Sequence, residues 1–509
     1  MSAFHPSAGP GWGPEPKTYR AGTLTYTKPA LAILFFWLIW GDFCYTVMEA
    51  VTGPIMQLKF KSLNASNTEI GLILGTFPGI VYSILNPIIS FRSDRFRSRW
   101  GRRIPFIAFS LPFLVIFLVA LGLGDRIGLW LHGHFGYLLP GLSATQSVVL
   151  ALGILLVSFT FFNTFVTSTF WYLFNDVVPE PLLARFMSWF RVVGLASGAF
   201  YNFFILPHSA THATEIFLFA ALLYLVGFGL MCLNVREGQY PPPDPYVGGG
   251  TGPVAAIKCY AVGTHAFPHY WYLWINTFIG AIGGGTGTFM LYFYLTIGLT
   301  LKEYSVIEGC VLVIAGVLTP IAGWLADRFH PIRVVLVASL VSLFIIAPVN
   351  LSWLFWHPAP AVVFWVILII RTCLAAPTQA LMGMWDPPML MRLFPRANYG
   401  QFCSTNGVWR AVGHIIGGGL AGGYLDIVSH WVGRDEAYYY LPVWNLCFGL
   451  PGFYFLYRLY RSWQSHGGDQ SYVAPVYNPD GSLSPEEEAA LALAESDPNT
   501  AGPLTVPKG

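Results

Sequence analysis

With 509 residues, 55% of them hydrophobic and only 10% charged, this chain is excluded from the soluble domains, in which roughly a quarter of residues carry charge. Its net charge of +2 provides no strong field for nucleic acid or an acidic partner. The sequence has no G-x-x-x-x-G-K-S/T phosphate loop to couple it to ATP, and neither HExxH nor GxSxG to mark a membrane hydrolase.

The first 28 residues are rich in proline and glycine and lack the apolar stretch of a cleaved signal, so a disordered cytoplasmic N-tail is expected over 1–28. Apolar runs of about 20 residues then recur, each long enough to cross ~30 Å of hydrocarbon as a helix. Unbroken runs favour helices over the alternating pattern of a barrel. Twelve spans are expected, near 30–56, 70–91, 104–124, 147–173, 185–207 and 215–234, then 270–298, 305–325, 332–352, 360–384, 402–427 and 437–459. The proline and glycine clusters of "QYPPPDPYVGGGTGP" mark a linker between the sixth and seventh. The expected organisation is an all-α membrane protein of two six-helix bundles, 29–235 and 269–461, joined by a cytoplasmic linker at 236–268. An acidic cytoplasmic C-tail follows at 462–509, where Ser484, Pro485 and Glu487 suit the start of a short capped helix. The seven cysteines are scattered, mostly within apolar runs and without a CxxC, and read as reduced packing residues.

Residues 91–106, "FRSDRFRSRWGRRIPF", crowd six arginines between two uncharged spans. Arginine and lysine accumulate on the cytoplasmic side of a membrane, so this loop and both termini are expected inside a cell (inner) membrane. An internal echo relates the two halves. "NPIISFRSDRF" (86–96) aligns without a gap to "TPIAGWLADRF" (319–329), and "FRVVG" (190–194) to "WRAVG" (409–413), in the same order in each half.

"SDRFRSRWGRR" resembles the DRxGRR loop of the major facilitator superfamily. Its longer form, with SRxGRR followed by "PFI", is similar to the glycoside–pentoside–hexuronide cation symporters, and most like the sucrose–proton symporters of plants and their animal relatives. "GDFCYTVMEAVTGP" (41–54) and "NDVVPEPLLARF" (175–186) add to that likeness. The resemblance implies two pseudo-symmetric bundles around a central cavity, alternating access, and a sugar or glycoside substrate. Tyr82 and Asn86 stand where the sodium-coupled melibiose permeases carry acidic residues, so sodium coupling through those carboxylates is not implied. The expected activity is proton-coupled symport of a sucrose- or maltose-like disaccharide by a monomer in membrane lipid, with no cofactor beyond the coupling proton. The alternatives are an uncoupled or sodium-coupled sugar facilitator or exporter and, more remotely, a membrane sensor.

A charge at the centre of a bilayer costs ~2.5–3.5 kcal/mol or more, so it calls for a partner or a wet cavity. Asp42 and Glu49 share one face of the first span, two turns and ~10.5 Å apart. A carboxylate there can take up a proton or pair with arginine, the two states that proton coupling needs; Asp42 is also a candidate for sugar binding. Arg191 and Arg410 occupy equivalent places in the fifth and eleventh spans, and Arg371 lies mid-span in the tenth. A guanidinium fork matches vicinal hydroxyls or a carboxylate, and the melibiose-type relatives place an arginine of the fifth span near the sugar. Arg191 and Arg371 are therefore candidate sugar ligands, and Arg410 a gate residue with His414 one turn beyond it. Flat apolar faces for a sugar could come from Trp40, Trp171, Trp274 or Trp409, and neutral hydrogen bonds from Asn163, Thr167, Asn276 or Gln379. Asp94, Arg95, Arg102, Arg103, Asp327 and Arg328 are expected to form a cytoplasmic gate, in which an aspartate caps a neighbouring helix and pairs with loop arginines.

Overall fold

The computed structural model describes residues 18–138, 141–240, 264–356, 360–395 and 399–475. The proposed helix at Ser484 lies outside these residues, as does most of the linker. Helix α1 (Lys28–Ser62) starts on Thr27, whose hydroxyl accepts from Ala30 N. Three later helices open with a capping box, a hydroxyl residue three before Glu or Gln. These are α2 (Asn67–Ser90 as a span, helical to Arg95) at Ser66/Glu69, α5 (Ala144–Val177) at Ser143/Gln146, and α9 (Leu301–Phe329) at Thr300/Glu303. Between them run α3 (Ile104–Gly122), α4 (Gly124–Phe135), α6 (Glu180–Phe200), α7 (Ala213–Asn234 as a span) and α8 (Pro268–Thr296 as a span). After α9 come α10 (Pro331–Leu354 as a span), α11 (Ala361–Met382), α12 (Tyr399–Val432) and α13 (Leu441–Ser465).

Each of the twelve expected spans is a helix. Eleven are long and apolar enough to cross a membrane. The twelfth, α13, has 25 residues and packs along α8, but Arg458, Arg461 and Gln464 lower the hydropathy of its last turns. The fold is an all-α membrane protein of two pseudo-symmetric six-helix bundles. Three departures have simple causes. Residues of the expected disordered tail pair as an antiparallel hairpin, β1 (Tyr19–Ala21) with β2 (Leu24–Tyr26), docked where Gln239 N donates to Thr23 Oγ1 at 2.8 Å. The connection at 125–146 contains α4, whose Asp125 pairs with Lys59. The chain after 461 folds back on the second bundle, where Tyr472 OH donates to Leu393 O and Asp469 pairs with Arg333 at 2.7 Å.

His330 links α9 to α10 in a left-handed conformation (φ 67°), its ring tilted by 32° against Trp463 with centres 4.5 Å apart. Its Nδ1 accepts from Ile332 N at 3.3 Å, which requires a neutral ring. Burial and the nearby Arg392 and Arg333 push its pKa down to about 4, partly opposed by Asp469. Because the folded value lies below the unfolded one, its stabilising contribution is full above about pH 6.5 and is lost as the pH falls toward 4. Wild-type protein is therefore expected to lose melting temperature over that window more steeply than His330→Gln, as read by thermal denaturation in detergent.

The two bundles are stitched together at the end away from the arginine loop. Asp426 of α12 accepts from Asn67 N (3.0 Å), Thr68 N (2.7 Å) and Thr68 Oγ1 (2.6 Å), so it caps α2 across the bundle boundary. Further along, α2 makes one π turn at Leu72–Thr76, and Thr76 Oγ1 donates to Ile415 O at 2.6 Å while accepting from Gly419 N at 3.1 Å. Lys61 pairs with Asp435 at 3.0 Å, and Tyr438 OH donates to Asn67 Oδ1 at 2.7 Å. Glycines make this approach possible: a Cβ on Gly71 would stand 2.1 Å from Gly418 O, and one on Gly422 2.3 Å from Asn67 O.

Candidate functional site

Asp42 lies in the first bundle, 3% exposed. Thr46 Oγ1 donates to its Oδ1 at 3.5 Å, while Oδ2 is buried without a hydrogen-bond partner. That free oxygen faces α6 at Gly194, where a Cβ would lie 3.6 Å away. Arg191, one turn earlier on α6, is exposed and makes no ion pair with Asp42 among the described residues. Its guanidinium points across the bundle boundary, with Nη2 3.7 Å from where a Cβ of Gly383 would stand, beyond the end of α11. Gln379, one turn before Gly383, is exposed.

Glu49 is exposed although its neighbours Val47 and Met48 are fully buried. Tyr45 OH donates to its Oε1 at 3.1 Å and also meets Thr167 Oγ1 at 2.7 Å, which joins α1 to α5. Asn163, Thr167 and Trp171 follow at four-residue steps on one face of α5. Asn163 Oδ1 is buried without a partner. Trp171 is 44% exposed and sits edge-on to Phe190, the neighbour of Arg191. One neighbourhood of α1, α5 and α6 thus holds Asp42, Glu49, Asn163, Thr167, Trp171 and Arg191.

Other candidates are engaged in packing. Trp40 stacks on Phe43 and lies against Gly227 of α7, inside its own bundle and not toward the boundary. Trp274 is fully buried and donates to Thr264 O at 3.1 Å; Trp409 donates to His265 Nε2 at 3.1 Å; Asn276 donates to Gly452 O. His414 is exposed. Arg371 pairs with Glu308 of α9 at 3.4 Å and lies over the Tyr294 ring. Glu308 went unrecognised in the sequence although it sits within the eighth expected span, where a lone carboxylate was signal enough.

The N-terminus of α3 is capped from the linker by Glu237, which accepts from Arg102 N (2.9 Å), Arg103 N (2.8 Å) and Ile104 N (2.6 Å). The side chains of Arg102 and Arg103 converge on Asp176 at the end of α5. Among the described residues Glu237 caps the helix and Asp176 pairs with the loop arginines; the side chain of Asp94, expected in both roles, lies outside them. Arg95 is exposed at the end of α2. In the second bundle Asp327 pairs with Arg392 at 2.7 Å, Arg328 lies over Trp324, and Arg410 pairs with Asp386. Each of these pairs joins elements of a single bundle, in contrast to the contacts at the opposite end.

Gly101 makes the Glu237 cap possible. Its φ is +105°, and a Cβ there would come 2.4 Å from Glu237 Cδ. Left-handed backbone costs a side-chain-bearing residue about 1–2 kcal/mol. Gly101→Ala is expected to lose at least that much stability, seen as a drop in melting temperature that Glu237→Ala shares in part and that the double variant does not sum.

A groove of about 660 Å³ opens at the stitched end, lined by Lys61, Trp353, Phe364, Asp435, Glu436 and Tyr439 among others. The predicted site residues are not among those lining it.

The pattern of the Major Facilitator Superfamily matches residues 38–418. No curated protein matches the chain in sequence. Among solved structures, a bacterial homolog to the human lysosomal transporter Spinster, in an inward-facing and unoccupied conformation, is 15% identical, covers 89% of this chain and 100% of its own, and gives a TM-score of 0.62. A D-xylose–proton symporter is 14% identical over 82% of this chain and 96% of its own, with a TM-score of 0.57. A variant of the nucleoside transporter NupG is 11% identical over 84% and 98%, also at 0.57. At such identities the likeness concerns the fold alone. The family pattern, however, runs from α1 into α12, through both bundles and the glycine-lined contact between them. The chain belongs to the Major Facilitator Superfamily.

Proposed function

We propose that this transporter is a proton-coupled symporter of a sugar or glycoside, of the size of sucrose or maltose, working by alternating access in the cell membrane with both termini in the cytoplasm. The observation that carries the reading is Asp42: a buried carboxylate with one oxygen uncommitted, facing the helix that bears Arg191, which makes no ion pair among the described residues. An acid in that position gains from either a proton or a ligand hydroxyl, so occupancy by one changes the energy of the other. Arg191 and Gln379 approach from opposite sides of the bundle boundary, and Trp171 with Asn163 and Thr167 adds the ring face and neutral hydrogen-bonding groups that a sugar uses. The D-xylose–proton symporter and the nucleoside transporter share the fold, so the choice of sugar rests on these side chains and on the sequence likeness to the glycoside–cation symporters. The stitched end, with ion pairs kept within each bundle at the other, supports an inward-facing state in which Arg102, Arg103, Asp327 and Arg410 hold the cytoplasmic loops in shape.

Uptake of radiolabelled sucrose and maltose into proteoliposomes, with and without an inward proton gradient, tests the proposal. Accumulation that depends on the gradient supports it; sugar uptake indifferent to the gradient means an uncoupled facilitator.

A further inference from the structure

The ion pair of Glu308 and Arg371 has no part in the mechanism so far. Glu308 lies in the second turn of α9 and Arg371 halfway along α11. A pair kept only for structure gains most from bidentate geometry with every polar atom satisfied. Here the contact is single, Nη1 to Oε1 at 3.4 Å, and Arg371 Nε is buried without a partner. The guanidinium rests 4.5 Å from the centre of the Tyr294 ring, a second, uncharged place for its charge. The pair is not sealed either, since the Glu308 side chain keeps 26% exposure. Among the described residues, titratable groups near it are Tyr304 on α9, its ring 5.2 Å from Tyr294, Cys310 two positions further along the same helix, and Tyr201 beyond α6. Beside Glu308, Gly309 lets the first bundle rest on the second: a Cβ there would stand 2.6 Å from Phe203.

We propose that Glu308 is a second proton-carrying residue of the transport cycle, with Arg371 as its counter-ion. The inference rests on the proton-coupled reading. A proton from water bonds to a Glu308 carboxylate oxygen and the contact with Arg371 is released, leaving the guanidinium on Tyr294; loss of the proton to water on the other side restores the pair. Charge next to the Gly309–Phe203 crossing thus changes with each proton.

Spin labels introduced as non-natural amino acids at Ser62 and Trp431, one on each bundle at the stitched end, report the outward-to-inward ratio in nanodiscs without substrate. Two linked protons change that ratio by up to about 100-fold per pH unit, one by up to tenfold. Wild type is expected to exceed tenfold per pH unit within the range pH 5 to 8, Glu308→Gln to fall to tenfold per unit or less, and Glu308→Asp to recover the wild-type slope. A wild-type slope kept in Glu308→Gln but reduced in Asp42→Asn overturns the second site and leaves the coupled reading intact. A ratio that does not respond to pH in wild type overturns both.

Discussion

Asp42→Asn is expected to abolish uphill sugar accumulation while leaving sugar exchange across the membrane within a few-fold of wild type. An inward gradient of two pH units stores about 2.7 kcal/mol per proton, enough to hold a ~100-fold sugar gradient for each proton carried; an asparagine at position 42 mimics the protonated state permanently, so sugar crosses without waiting for a proton and leaks back down its own gradient. Asparagine keeps the shape of the side chain and can still accept from Thr46 Oγ1, which now meets Oδ1 at 3.5 Å. It also keeps a hydrogen-bonding group toward Gly194, so a sugar can still be held. What it lacks is the choice between a charged and a neutral state. If Arg191 engages the ionised carboxylate in another state of the cycle, Arg191→Lys should weaken sugar binding and retain partial coupling, because lysine keeps the charge but loses the fork. Accumulation in Asp42→Asn equal to wild type would remove this residue from coupling, and the exchange assay guards against mistaking misfolding for uncoupling.

The architecture was readable because lipid leaves so few options. Apolar runs of sufficient length must be helices, and every expected span is one. The boundaries extended outward by several residues where a capping box was present in plain sequence, as at Ser66/Glu69 and Thr300/Glu303. The site was only partly readable. Asp42, Arg191 and Trp171 stood out as expensive or bulky groups in apolar runs, and they do share a neighbourhood. Trp40 and Trp274 looked the same on paper, yet one faces Gly227 and the other is sealed by Thr264; which side of a helix faces a partner depends on packing that apolarity all round does not encode. Glu237 and Asp426 were invisible for another reason. Each caps a helix far away in sequence, separated by 133 residues from Ile104 and 359 from Asn67, and no local pattern announces such a pairing. The glycines of "GGGLAGG" (417–423) suit a close helix crossing, but their partner α2 emerges only from the folded chain.

Gly418→Leu is expected to arrest the transporter with its stitched end open and to reduce transport by more than 100-fold. A Cβ at Gly418 would meet Gly71 O at 2.7 Å, Thr76 N at 2.9 Å and Gly75 Cα at 3.0 Å. All three are backbone atoms, so no neighbouring side chain can turn away; α2 and α12 must separate. Separation breaks the Thr76 contacts and draws Asn67 and Thr68 off Asp426, so the added side chain is opposed by a whole row of bonds. Those bonds are not strong enough to hold, because overlap with backbone cannot be relieved by small shifts in a close-packed contact. Asp426→Asn provides the complementary measurement. It removes the charge and turns one acceptor oxygen into an NH2 donor, so either Asn67 N or Thr68 N loses its acceptor; with charged bonds worth about 1.5–3 kcal/mol each, this should shift the population outward by tenfold or more while transport continues. The Ser62–Trp431 distance distribution separates the two, fixed and long in Gly418→Leu, bimodal in Asp426→Asn. A Gly418→Leu protein that stays folded, keeps the short distance and transports normally would show that α2 and α12 need not meet for the cycle to run, and the glycine row would then be packing without a gating role.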